Sequence, residues 1–443
     1  MLTEVTVFWI FCFSRVNSLP GFTTQNYNTD LDKCGKVHLT VSSLEETYLE
    51  LNWVTKCDSM YDMVPDEIAL YDKNPLDRNE EMPPRVSVLA RRYPEGYYKT
   101  KVKFGSPWLP GNWEYQENMI QAEHGQHCFP YWIASLKRDM LIDVQCLRIN
   151  PTWMFDNSHR IGKKRIGSVI IPGTHNSGSS KTATFLQSYV MNQDRNVWTQ
   201  LVFGIRYLDL RVGYYGREGY DESALLMNYK PLVYSFYINH DVVRITRLEP
   251  VLREIRKFSE LAPREIIVVD FHRFPYPSNF NANIHESLLK VLHYELHDLA
   301  LYPSGLQIGS GPTFNEIWAR NKSIIVCYNE KEVSAGHRWL WHPIEQFWGN
   351  KRDVGDLKDF LDTSIKQHKS VLNPLWALMA ELTPQAFDVI FRTNNLRKLA
   401  NNVNRHVTKW VRSEWSNSSV NIVATDYFLG NDVINVAIGN NIL

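Results

Sequence analysis

Four short segments in the second half of this 443-residue chain set ionisable side chains beside apolar, β-branched runs. Ile171-Pro172-Gly173-Thr174-His175-Asn176-Ser177-Gly178 follows the run 166–171, and its Pro-Gly pair reads as a turn presenting His175 and Asn176. In 204–211 (GIRYLDLR), period-2 alternation puts Tyr207, Asp209 and Arg211 on one face of a strand. Tyr237-Ile238-Asn239-His240 ends a third run in histidine, and Val268-Val269-Asp270-Phe271-His272-Arg273 ends a fourth. Two imidazoles, a guanidinium and carboxylates suit phosphodiester cleavage. One imidazole takes a proton from an attacking hydroxyl, the other protonates the leaving oxygen, and the guanidinium balances charge on the phosphoryl oxygens. Taken singly, each has a structural use: a histidine at a strand end is often hydrogen-bonded scaffold, and Asp-x-Arg a local ion pair. Their succession at strand ends argues for a site.

The elements that must hold these residues come next. The runs 166–171, 205–210, 233–239, 266–271, 323–328 and 420–425 read as buried strands. Between them Leu248, Val251, Leu252, Ile255, Phe258 and Leu261 recur at helical spacing, as do Ile284, Leu288, Leu289, Leu292 and Leu296. Strand and helix alternating over residues 151–443 predict an α/β TIM-like barrel, in which chemistry gathers where strands end. The last strand, 420–425, leads into Asp426.

From 19 to 150 the pattern differs. Short alternating runs at 37–41, 48–54, 67–71, 86–90, 99–104 and 140–147, separated by turns, predict an all-β sandwich domain. His38, His124 and His127 have no matching carboxylates there and read as surface or core histidines. Cys34, Cys57, Cys128 and Cys146 cluster in this half and would form two disulfides in an oxidising compartment. Of the three pairings, Cys34–Cys57 with Cys128–Cys146 is preferred because each closes a short loop. The apolar stretch 5–13 suits a signal peptide ending at residue 18, although Glu4 stands where a cation is usual. Sequons at Asn321 and Asn417 fit a secreted glycoprotein.

Charge narrows the partners. Forty-eight basic side chains against 48 acidic ones leave no net charge, which argues against a nucleic-acid-binding field. No apolar run reaches the roughly 20 residues of a bilayer-spanning helix.

The segments IPGTHNSG, GIRYLDLR, Asn239-His240-Asp241 and Arg264-Glu265-Ile266-Ile267-Val268-Val269-Asp270-Phe271 together resemble the X region of phosphatidylinositol-specific phospholipase C, in the variety called PI-PLC X domain-containing proteins. The resemblance covers roughly residues 151–443, with no sign of a Y-type half, PH domain or EF-hand. It implies cleavage of an inositol phospholipid at a membrane surface. His175 would be the general base toward the inositol 2-hydroxyl and His240 the general acid toward the diacylglycerol oxygen. Arg211 stands where bacterial members set an arginine against the phosphate and calcium-dependent ones an acidic ligand. Asn176, however, follows the first histidine as in the calcium-dependent group. Catalysis without a cofactor is therefore the first expectation, and calcium held by Asn176, Asp209 and Asp270 the alternative. Asp426 would orient His175, Asn176 and Asp270 would meet substrate, and Tyr214 or Tyr215 would stack on the inositol ring. Two rival readings are a metal-dependent phosphodiesterase acting on another phospholipid such as sphingomyelin, and a catalytically weak lipid- or glycan-binding protein. Trp339, Trp341, Phe347, Trp348 and Trp376 read as loop packing rather than a lipid-facing rim.

Overall fold

In the N-terminal part, strands β1 (Val37–Val41), β2 (Tyr48–Trp53), β3 (Glu67–Tyr71), β4 (Val86–Leu89), β5 (Tyr97–Lys103), β6 (His127–Lys137) and β7 (Met140–Ile149) make two antiparallel sheets, ordered β1-β2-β5 and β4-β3-β6-β7. The computed structural model describes residues 35–44, 48–55, 64–77, 82–180, 187–217, 234–303, 310–368, 374–416 and 420–443. The expected signal peptide, the Cys34–Cys57 pair and the sequon at 417–419 lie outside them. Cys128 and Cys146 are bonded across β6 and β7. β6 escapes the sequence reading because Pro130 sits where its register against β7 shifts, between Cys128 and Trp132, and a bulge breaks the alternation.

The remaining strands are β8 (Ile171–Thr174), β9 (Tyr207–Arg217), β10 (Tyr234–His240), β11 (Val243–Arg247), β12 (Ile267–Tyr276), β13 (Ile324–Tyr328), β14 (Glu345–Phe347), β15 (Trp376–Met379) and β16 (Ile422–Thr425). In parallel they run β14-β15-β16-β8-β9-β12-β13. Beyond Arg211, β9 pairs antiparallel with β10, which folds back as a hairpin with β11, while Gly213 stays in parallel register with Tyr276 of β12. The run 233–239 is thus a strand as expected, but of a hairpin and not of the parallel core. Among the described residues no ladder joins β13 to β14. A single bridge, Cys327 to Trp341, lies between them. The architecture seen is therefore a mixed, mostly parallel sheet with helices, and the expected barrel closure is not part of it.

The strand expected at 166–171 is also corrected. Ile166–Ser168 is a 3-10 turn, and Ile171-Pro172-Gly173-Thr174 is itself the strand β8. Proline is tolerated there for a local reason. In a parallel ladder the N–H and C=O of a residue reach the same neighbour. The Pro172 carbonyl accepts from Arg206 N–H at 2.9 Å, and Gly204 O, which the missing N–H would have met, accepts from Trp153 Nε1 at 3.1 Å. Gly173 permits a second close approach: a Cβ there would come within 2.7 Å of the Tyr207 ring.

Helices α1 (Gln187–Val190), α2 (Val197–Phe203), α3 (Leu248–Leu261), α4 (Ala282–Leu296), α5 (Ala386–Phe391), α6 (Leu396–Lys409) and α7 (Val433–Ile442) border the sheet. The helical spacing read from sequence is the buried stripe of α3 (Leu248, Val251, Leu252, Ile255, Phe258) and of α4 (Leu288, Leu289, Leu292, Leu296). One apolar cluster joins the antiparallel sheets to the parallel one. Trp113 packs on Phe258 at 5.6 Å and accepts from Trp198 Nε1 through its carbonyl, and Phe129 stacks on Phe203. Beneath the junction, Arg206 and Glu265 form a fully buried pair. Arg206 also donates to Pro151 O, and Glu265 accepts from the backbone N–H groups of Met154 and Phe155. Trp339, Trp341 and Trp376 are buried, while Trp348 is exposed.

Candidate active site

The C-terminal ends of β8, β9 and β16 converge, because these strands lie side by side in parallel. His175 follows β8, Asp209 and Arg211 lie on β9, and Asp426 follows β16. His175 Nδ1 is 2.9 Å from Asp426 Oδ1, and Arg211 Nη2 donates to His175 Nε2 at 2.9 Å. A guanidinium can donate only to a ring nitrogen that carries a lone pair, so this geometry is that of neutral His175 with its proton on Nδ1, directed at Asp426. Burial alone would lower the affinity of this ring for a second proton. Glu381 and Asp426 outweigh burial and raise it, with Arg211 opposing.

Asp209 is a clasp. Its carboxylate accepts from the backbone N–H of Asn176 at 3.0 Å and meets Arg211 at 3.4 Å. Its own N–H donates to Ser177 Oγ. Burial would raise its pKa, but Arg211, His175, His272 and the Asn176 N–H bring it down to about 2. Asn176 sits at φ 43°, a left-handed conformation that asparagine tolerates.

His240 ends β10. Burial, with His175 and Arg211 adding to it, pushes the ring down to about 4 against the pull of Asp241 and Asp426. It is therefore neutral at pH 7. Asp270 stands in register with Asp209 across β9 and β12. It accepts from Tyr207 Oη at 2.8 Å and lies 3.2 Å from His272 Nδ1. Tyr214, expected to stack on the inositol ring, packs on Phe236 at 5.1 Å, and strand alternation sets it on the face opposite Arg211. Tyr215 is on the Arg211 side, accepts from Asn239 Nδ2 at 2.7 Å and stacks on Tyr276.

Several residues here were missed by sequence reasoning. Asn192 Nδ2 donates to Asp426 Oδ1, and Gln193 Nε2 bridges the carbonyls of His175 and Thr425, tying the ends of β8 and β16 together. Glu381, two residues beyond β15, is buried with neither carboxyl oxygen hydrogen-bonded. Burial, helped by Asp426 and Asp209 against His175 and Arg211, pushes it up to about 8. Arg273 lies opposite Arg211 in register, its guanidinium 5.4 Å above the Trp348 ring. Toward calcium the site offers a mixed lining: Asn176, Asp209 and Asp270 each keep one buried side-chain oxygen without a hydrogen-bond partner, whereas Arg211 already sets a fixed cation 3.4 Å from Asp209.

No protein-family model matches the chain. PI-PLC X domain-containing protein 1 of Homo sapiens is 24% identical over 320 residues, covering 65% of this chain and 91% of that protein. PI-PLC X domain-containing protein 3 of Danio rerio is 25% identical over 246 residues, covering 55% and 70%. The chain is a distant homologue of the PI-PLC X domain-containing proteins. Among solved structures, phosphatidylinositol-specific phospholipase C from Listeria monocytogenes aligns with a TM-score of 0.48 and 17% identity, over 66% of this chain and 98% of its own. Within this X-domain homologue, among the described residues, no helix is long and apolar enough to cross a membrane.

Proposed function

We propose that this protein is a phospholipase C-type phosphodiesterase that cleaves an inositol phospholipid at a membrane surface. The observation that carries the reading is His175 held between Asp426 on Nδ1 and Arg211 on Nε2. In this reading Arg211 turns its N–H to a phosphoryl oxygen when substrate arrives, freeing His175 Nε2. That nitrogen takes the proton of the inositol 2-hydroxyl, whose oxygen attacks phosphorus. The bond from phosphorus to the diacylglycerol oxygen breaks, and that oxygen takes a proton from His240. The products are diacylglycerol and a cyclic inositol phosphate. Phosphate beside His240 adds negative charge and lifts its low pKa toward the range an acid needs. The Cys128–Cys146 disulfide supports secretion through an oxidising compartment, and exposed Asn321 supports glycosylation there.

The deciding experiment measures water-soluble inositol phosphate released from phosphatidylinositol vesicles in excess EDTA and with added calcium. Cyclic product in EDTA is expected. Product only with calcium moves the assignment to a metal-dependent enzyme, and none in either condition overturns it.

A further inference from the structure

The residue that follows Asp426 is held in an unusual twist. Tyr427 is buried at φ 48° and ψ 61°, a left-handed conformation that a bulky side chain seldom takes and that persists only where its surroundings enforce it. Its N–H donates to Asn192 O at 2.7 Å, and its ring lies 4.5 Å from the Arg397 guanidinium. The carbonyls of Asp426 and Tyr427 accept from one buried amide, Asn404 Nδ2 of α6, at 3.1 and 3.2 Å. The oxygen of that amide accepts from Asn431 Nδ2, which also donates to Thr425 Oγ1 at 3.1 Å. The same Asn404 Nδ2 donates to Ser43 Oγ at 3.3 Å, two residues beyond β1 of the N-terminal sheets. Gly430 makes that approach possible, because a Cβ there would collide with Ser43 Oγ and come 2.8 Å from Asn404 Nδ2.

We propose that Asn404 is a positioning residue for Asp426, and that through Ser43 the N-terminal sheets take part in catalysis by fixing the turn that aims the Asp426 carboxylate at His175 Nδ1. The kinetic consequence rests on the phosphodiesterase reading above; the geometry does not. Buried carbonyls need donors. Without the Asn404 amide, the backbone at 426–427 is free to leave its left-handed turn, and Asp426 Oδ1 moves with it. A shift of about 1 Å at a catalytic group can cost about 100-fold in rate. A second set of contacts runs the same way. Arg397 of α6 donates to Ser43 O at 3.1 Å and pairs with Asp194. Arg195 donates to Gly105 O and, at 2.8 Å, to Ser106 Oγ, just beyond β5. Asp194 and Arg195 directly follow Asn192 and Gln193, which hold Asp426 and His175. The N-terminal sheets therefore grip both the turn after β16 and the segment that ties β16 to β8.

The test uses the full chain as parent, Asn404→Ala, Ser43→Ala, Asp426→Asn and N404A/D426N. On phosphatidylinositol vesicles Asn404→Ala should lower kcat by roughly 10–100-fold with KM little changed, and Ser43→Ala should lower it less. The double variant should be no slower than Asp426→Asn alone, because Asn404 acts through that carboxylate. A second readout needs no turnover. In chains labelled with 15N-histidine, the Nδ1–H proton of His175, identified by its loss in His175→Ala, should move upfield or vanish into exchange in Asn404→Ala, as in Asp426→Asn, and shift the same way in Ser43→Ala. If the parent cleaves no phospholipid, the enzyme reading falls while this resonance still judges Asn404. Losses that multiply in the double variant, or a His175 resonance that Asn404→Ala leaves in place, overturn the proposal. If Asn404→Ala does not fold, Ser43→Ala carries the decision, and an unmoved resonance there overturns it equally.

Discussion

Asp426 Oδ1 meets His175 Nδ1 at 2.9 Å, on the side of the ring opposite the nitrogen that Arg211 reaches. That contact directs a proton on Nδ1 toward the carboxylate, and in the proposed mechanism Asp426 would act through the imidazole as the acid of a catalytic triad does. Asp426→Asn keeps the size of the side chain and removes the charge. It should lower kcat by roughly 10²–10⁴-fold with KM little changed. The limb of the pH profile that reports the base should also move to lower pH, because a raising influence on His175 is gone. A variant with an unshifted profile and only reduced stability would make Asp426 mere scaffold.

His240 offers a direct titration. Its pKa of about 4 leaves it neutral at pH 7, whereas a general acid must carry a proton. The ring proton resonances of His240 should titrate near 4 without ligand and at least about one unit higher once inositol 1-phosphate lies against Arg211. A titration that the ligand leaves in place would remove His240 from the acid role.

The sequence made His175, Asp209, Arg211 and Asp426 visible because each stands at or just past a β-branched run, where period-2 alternation says which side chains share a face. The same rule, applied one step further, selects Tyr215 over Tyr214, since Arg211, Gly213 and Tyr215 alternate together. Glu381 was invisible for another reason. Its strand, Trp376–Met379, is four residues long and leaves almost no period to read. Asn192 and Gln193 sit in a loop, and uncharged amides announce nothing about the carbonyls and carboxylate they bridge. The doubling of β9, parallel to β8 and β12 and then antiparallel to β10, is a pairing choice that strand propensity does not encode.

Glu381 links the site to stability. An unfolded glutamic acid loses its proton near 4.5, and Glu381 holds its own up to about 8. Its protonation therefore favours the folded state fully below pH 4.5, and that contribution is lost as pH rises through 8. Glu381→Gln carries a neutral amide at every pH. Its melting temperature, measured against the parent by calorimetry, should gain progressively from pH 5 to pH 8, by about 2–4 °C for each kcal/mol recovered. Parallel curves for the two proteins would show that Glu381 titrates normally.

The Arg206–Glu265 pair predicts the opposite kind of outcome, a loss that pH does not modulate near neutrality. Both side chains are fully buried, with Arg206 Nε and Nη2 at 2.9 and 2.6 Å from one Glu265 oxygen. Glu265→Ala strips the guanidinium of its counter-charge and leaves the backbone N–H groups of Met154 and Phe155 without acceptors. Breaking such a pair from one side costs about 3–5 kcal/mol. The loss arises because Arg206 keeps its charge in a place water does not reach, held over the Phe258 ring and beneath the start of β9. Urea unfolding of the variant should show a midpoint lowered by that free energy divided by the slope, with the slope itself unchanged. A change below about 1 kcal/mol would mean that water enters the junction and screens the pair as it would at the surface.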